Sequence, residues 1–147
     1  KATPGLRLSL GVSTFVPKAH TPFQWQGVRP EADKRLKLLA KRLKPKGIEL
    51  RPESYGWSVI QALFSRSDRR LAAVIAAARG RHDSLGGWKQ AYRAVREGDA
   101  STNEPLPPAW DEVIHADWDP EKVLPWAHLE GPLPQSTLLK HQQEALA

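Results

Sequence analysis

The residues best placed to do chemistry lie between Gly11 and Trp25, in GVSTFVPKAHTPFQW. Lys18 could meet a carboxylate or a phosphate. His20 could donate a hydrogen bond or move a proton. Gln24 and Trp25 follow, and Pro17 and Pro22 hold the stretch at low entropic cost. The competing reading is a rigid plug, in which Phe15, Phe23 and Trp25 close one end of a core. A second group, Arg66-Ser67-Asp68-Arg69-Arg70, reads as the opening of a helix. Three arginines there oppose the helix dipole, so Arg66, Arg69 and Arg70 are either anion-binding or engaged in an ion-pair network. Lys34, Lys37, Lys41 and Lys44 form a stripe that is either a solvated helix face or a contact for a nucleic-acid backbone, with Lys34 and Lys41 as its anion-binding candidates. No aromatic residue interleaves with it, which makes it a poor stacking platform.

Elements with recognisable patterns must position these residues. Leu6, Leu8, Leu10 and Val12 alternate with Arg7 and Ser9, a strand pattern that Pro17 stops. Residues 31–44 read as the clearest helix, with Ala32, Leu36, Leu39, Ala40 and Leu43 on one face and Pro45 and Gly47 ending it. Ile48-Glu49-Leu50 reads as a second short strand. The order strand, loop, helix, strand predicts a parallel βαβ-like unit. Helices are expected over 56–64 (Trp57, Ile60, Leu63, Phe64), 68–79 with Asp68 as N-cap, and 87–97. Residues 99–109 carry three prolines and read as a linker. A short stretch follows over Trp110–Ile114, then one or two helical turns near Pro120–Leu124 and a last helix at about 135–146. Trp110, Trp118 and Trp126 sit in this Pro-rich, acid-rich tail. They would clamp an extended segment onto the domain or form a protein interface. The expected division is 1–54, 55–98 and 99–147. Two strands make too little sheet to stand alone, so the pattern suggests the closing part of a larger α/β sheet or barrel.

Composition narrows the functions. The 147 residues suit one domain with a modest core. Lys and Arg number 22 against 16 Asp and Glu, a formal net charge of +6. That excess suits RNA, a nucleotide or a phosphate, and equally a protein that is merely well dissolved. There is no cysteine, so no disulfide, thiolate nucleophile or cysteine-held cluster lies in this chain. The histidines (His20, His82, His115, His128 and His141) show no metal-ligand spacing, and no metal site is expected. There is no Walker loop and no dinucleotide glycine run. No apolar run is long enough to span a bilayer, which points to a cytoplasmic protein without a membrane partner. With Lys1 first and no methionine anywhere, the chain reads as a whole protein or as the tail of one.

The stretch SLGVSTFVPKAHTPFQW (9–25) resembles the strand-and-loop signature late in the catalytic domain of radical SAM proteins, of the uncharacterised type that often carries a B12-binding-like domain. Three more segments are similar to that family. ALFSRSDRRLAAVIAAARGRHD (62–83) resembles its segment with a GDRR run. SLGGWKQAYRAV (84–95) and VLPWAHLEGPLPQSTLLKHQQEAL (123–146) resemble its two closing segments, the last built on LPWDHID. Ala19 stands where the family usually has proline, and Ser67 where it has glycine. The resemblance implies a C-terminal fragment of a partial (β/α) barrel with a mostly helical extension. It implies a [4Fe–4S] cluster and S-adenosylmethionine in the intact enzyme, held by a CxxxCxxC motif that this chain lacks. The N-terminal catalytic portion of the same protein would be the partner, and the fragment alone would be inactive. Loop 13–25 would then border the substrate or cofactor cavity, with Ser13, Thr14, Lys18, His20 and Gln24 as candidates. The alternatives are a stand-alone domain binding RNA or another anion, and a protein-interaction module.

Overall fold

Alternating apolar residues at the start and an amphipathic run after them produce the expected first unit. The computed structural model describes Gly5 and residues 7–98 and 105–147. Strand β1 is Leu8–Val12, helix α1 is Ala32–Leu43 and strand β2 is Ile48–Pro52. The strands pair in parallel, from Leu8 opposite Ile48 to Val12 opposite Pro52. Leu6, expected to open β1, lies outside the described residues. A single 3-10 turn at Lys44–Lys46 ends α1, and Gly47 reverses the chain at φ 70°, where a side chain would be strained. Asp33 and Lys37, one turn apart on α1, pair at 2.6 Å.

This unit does not hold the core. No residue of α1 is fully buried. Leu8 and Leu10 on β1 are 52% and 44% exposed. The core lies in helices α2 (Tyr55–Arg66), α3 (Leu71–Ala78), α4 (Leu85–Glu97) and α5 (Trp110–Ile114). Val28, Val59, Leu63, Val74, Tyr92 and Ile114 are among its members, so it draws on all three of the expected segments. A second cluster gathers Trp25, Trp118, Leu124, Trp126 and Leu138, the last from helix α6 (Gln135–Leu146). Two of the three tail tryptophans therefore pack on the N-terminal loop, and the third, Trp110, meets Tyr92 edge-on at 5.2 Å.

Several boundaries differ from the sequence pattern. Helix α2 turns Val59, Ala62, Leu63 and Arg66 inward and leaves Trp57 and Phe64 half exposed. Arg66 is thus the last residue of α2, where the helix dipole favours a cation, and not the first of the next helix. Helix α3 begins at Leu71, because Asp68 uses its carboxylate on the Arg70 amide and its carbonyl on the Leu71 amide. Of the expected linker 99–109, residues 99–104 lie outside the described residues. Residues 105–109 are packed: Pro107 is buried and the Pro108 carbonyl accepts the Tyr92 hydroxyl at 2.8 Å. Pro120–Leu124 forms turns and no helix, closed by Lys122 N–H to the Asp119 carbonyl. The described residues make a mixed α/β unit with one two-stranded parallel sheet and no barrel. None of their helices is long and apolar enough to cross a membrane.

Candidate functional site

Beyond β1 the proline-punctuated chain cannot continue a ladder, and side chains take over its hydrogen bonding. Gln24 is the hub. Its buried Oε1 accepts the His20 amide at 3.0 Å and the Trp126 indole N–H at 2.9 Å. His20 adopts φ 56°, a left-handed conformation that a non-glycine residue holds only when its surroundings fix it. Its ring abuts Gly131, where any side chain would collide with it. His20, Gln24, Trp126 and Glu130 help to line a cavity of about 380 Å3 between the loop and the tail. Lys18 donates to the Ser65 hydroxyl at 3.0 Å, and Ser65 in turn donates to the Gln61 carbonyl. Ser13 is exposed, while Thr14 is buried with its hydroxyl unpartnered. Phe15 and Phe23 meet edge-on at 5.8 Å, and Trp25 is buried. Of the loop candidates, His20 and Gln24 line this cavity and Ser13, Thr14 and Lys18 do not; Phe15 is half exposed.

The structure also reveals a partner for this loop that no pattern announced. Residues 25–28 run beside 114–118. The Trp118 amide donates to the Trp25 carbonyl at 2.7 Å, and the Val28 amide to the Ile114 carbonyl at 2.8 Å. Asp117 accepts the Gly27 amide and the Arg29 guanidinium. Burial alone would raise the Asp117 pKa, but the Gly27 N–H, Arg29 and more distant Arg66 together hold it below the usual range. His115 Nδ1 lies 2.8 Å from the Val28 carbonyl. A carbonyl only accepts, so Nδ1 carries the proton there.

The arginines separate into three roles. Arg66 is 1% exposed. It donates to the Ile114 and Ala116 carbonyls at 3.0 and 2.9 Å, and lies 3.9 Å over the Trp118 ring. Burial pushes its pKa down to about 10, partly offset by Asp117, which leaves it charged at neutral pH. Arg70 grips Asp68 with two nitrogens, at 2.9 and 2.6 Å, and reaches the Leu106 carbonyl. Arg69 is exposed. Lys34 and Lys41 are exposed on α1, which packs against β2, and they line none of the clefts that hold the arginines.

Hydrogen bonds from Arg70 hold Asp68 below the ordinary carboxylate range, against a smaller opposing effect of burial. A depressed folded pKa stabilises above the unfolded value and loses that contribution as pH falls through the folded one. Asp68→Asn is therefore expected to cost about 1 kcal/mol at pH 7, as a half-covered bidentate pair should. The gap from the parent protein should close as pH drops below about 4. Urea unfolding of both proteins from pH 7 to 2.5 measures it, and a gap that stays constant with pH rules the account out.

No group of three or more His, Asp or Glu able to hold a metal occurs among the described residues. No family model matches the chain, and no solved structure does. The chain is similar to "Uncharacterized protein MJ0966" of Methanocaldococcus jannaschii, with 27% identity over 69 residues. That stretch is 47% of this chain and 16% of the relative, so the chain spans only a small part of that protein.

Proposed function

We propose that this chain is the C-terminal segment of a radical SAM enzyme, which closes the barrel and helps to form the substrate or cofactor cavity, and which has no activity alone. The observation that carries the reading is the parallel pair β1–β2. Among the described residues each strand has one partner, and Leu8 and Leu10 are half exposed. A parallel sheet is ordinarily covered on both faces, so further strands and helices would complete this one. A second support is spatial. The segments that resemble the family, 9–25, 62–83 and 123–146, meet through Gln24–Trp126 and Lys18–Ser65.

A [4Fe–4S] cluster requires cysteine thiolates, and this chain has none. Its residues do not fit the cluster, whose ligands would come from the N-terminal catalytic portion of the same protein. Ser13, Thr14, Lys18, His20 and Gln24 would border the cavity and position or exclude what enters it. A cytoplasmic setting belongs to the same proposal.

The test is expression with the upstream coding sequence, anaerobic reconstitution and assay of iron content and 5′-deoxyadenosine release from S-adenosylmethionine. The longer protein should hold iron and cleave S-adenosylmethionine reductively, and residues 1–147 alone should do neither. An upstream frame without a CxxxCxxC run, or a reconstituted protein that takes up no iron, defeats the proposal.

A further inference from the structure

The turn between α2 and α3 faces the tail segment 122–128 across a cleft. Two adjoining cavities, of about 520 and 730 Å3, share Ser67, Asp68, Arg70 and Pro125. Basic groups dominate their walls: Arg66, Arg69, Arg70 and Lys122, with His128 at one side. The two acids there are both matched, Asp68 by Arg70 at 2.6 Å and Glu112 by Lys122 at 2.9 Å. The remaining positive charge sits on Arg66 and Arg69. Arg66 is buried with only carbonyls as hydrogen-bond acceptors and one nitrogen, Nε, unpartnered. Arg69 has no side-chain partner among the described residues. Trp118, Leu71, Val113 and Leu124 supply an apolar lining beside these charges.

We propose that this cleft binds a small phosphate-bearing molecule, with Arg69 and His128 meeting the phosphate and the apolar lining taking the uncharged body. A phosphate dianion matches the excess of two positive charges. An arginine fork suits its oxygens, and the apolar side chains line the adjoining cavity. The arginines and Lys122 line a concavity, whereas a nucleic-acid backbone would favour an open track such as the α1 stripe. The reading is independent of the radical SAM proposal, because it requires only residues 1–147.

Adenosine 5′-monophosphate is a suitable probe, with succinate as the carboxylate comparison, followed at low salt by tryptophan fluorescence and calorimetry. AMP should bind saturably, weaken as salt rises, and bind more tightly than succinate. Arg69→Gln should weaken it about tenfold or more, as loss of a charge-assisted contact does. The same variant should keep the parent melting temperature, since Arg69 is exposed. Lys46→Gln, outside the cleft, should leave AMP affinity unchanged. Absence of saturable binding, equal affinity for succinate, or equal losses in the two variants overturns the proposal. So does binding of single-stranded RNA that depends on Lys34 and Lys41 while AMP fails to bind.

Discussion

Arg66→Ala should lower the stability of the chain by about 3–5 kcal/mol, a large share of what a domain of this size possesses. The guanidinium is buried, and it holds the Ile114 and Ala116 carbonyls at 3.0 and 2.9 Å. Truncation leaves the Ala116 carbonyl without a donor, at about 1–3 kcal/mol, and the Ile114 carbonyl with the Val28 amide alone. It also removes the cation stacked 3.9 Å over Trp118, worth about 2 kcal/mol where desolvated. Arg66→Lys keeps the charge, but one compact ammonium does not reproduce a fork that spans two carbonyls, so an intermediate loss is expected. Urea unfolding, with an unchanged m-value as a check on two-state behaviour, measures both. A loss below about 1 kcal/mol for alanine would mean that water replaces the guanidinium, and the account would fail.

The second large effect is expected at Gly27. A methyl group there would overlap the His115 carbonyl, which belongs to the backbone and has nowhere to rotate. Gly27→Ala must push residues 25–28 away from 114–118. That strains the Trp118–Trp25 and Val28–Ile114 hydrogen bonds and the Gly27–Asp117 contact at once. The expected cost is about 3 kcal/mol or more, at the upper end for overpacking because the obstacle is rigid. Since the seam also holds Trp25 and Trp118 in one buried cluster, the variant should expose indole and shift tryptophan emission to the red. Near-parent stability with unshifted emission would show that the two segments are not held in close register. Glycine is demanded here by contact, whereas at Gly47 it is demanded by backbone angle.

Periodic elements were readable from their side chains alone. The alternation of Leu8, Leu10 and Val12 placed β1, and the stripe of Leu36, Leu39 and Leu43 placed α1. The intervening helix made a parallel pair the simplest solution, and the structure has that pair. Helix α6 was equally plain. Helix α2 was legible as a helix but not in its orientation. Trp57 and Phe64 are its largest apolar residues, and both stay half exposed, while Arg66 goes inside. Hydrophobicity ranks side chains by their average fate, and a buried arginine is rare enough that the average fails. Here the carbonyls of Ile114, the last residue of α5, and of Ala116 just beyond it supply acceptors that make the burial tolerable.

The candidate site shows the same division. Its loop was visible, because a strand running into prolines, a lysine and a histidine is a local pattern. Gln24 was named as a candidate, but its role as acceptor for both His20 and Trp126 was not readable, since the partners are 4 and 102 residues away. Asp117 and Arg29 gave no signal at all. Extended segments that pair without alternation, such as 25–28 with 114–118, leave no period in either stretch. The sequence by itself determined the order and approximate place of the periodic strands and helices, the positive excess, and the absence of any thiolate, since these depend on residue type and short-range spacing. Only the tertiary structure decided that the core avoids the sheet, that Arg66 is a buried clasp, and that Arg69 and His128 line one cleft. Those outcomes depend on which distant backbone groups need a partner, and that need arises only when the chain has closed on itself.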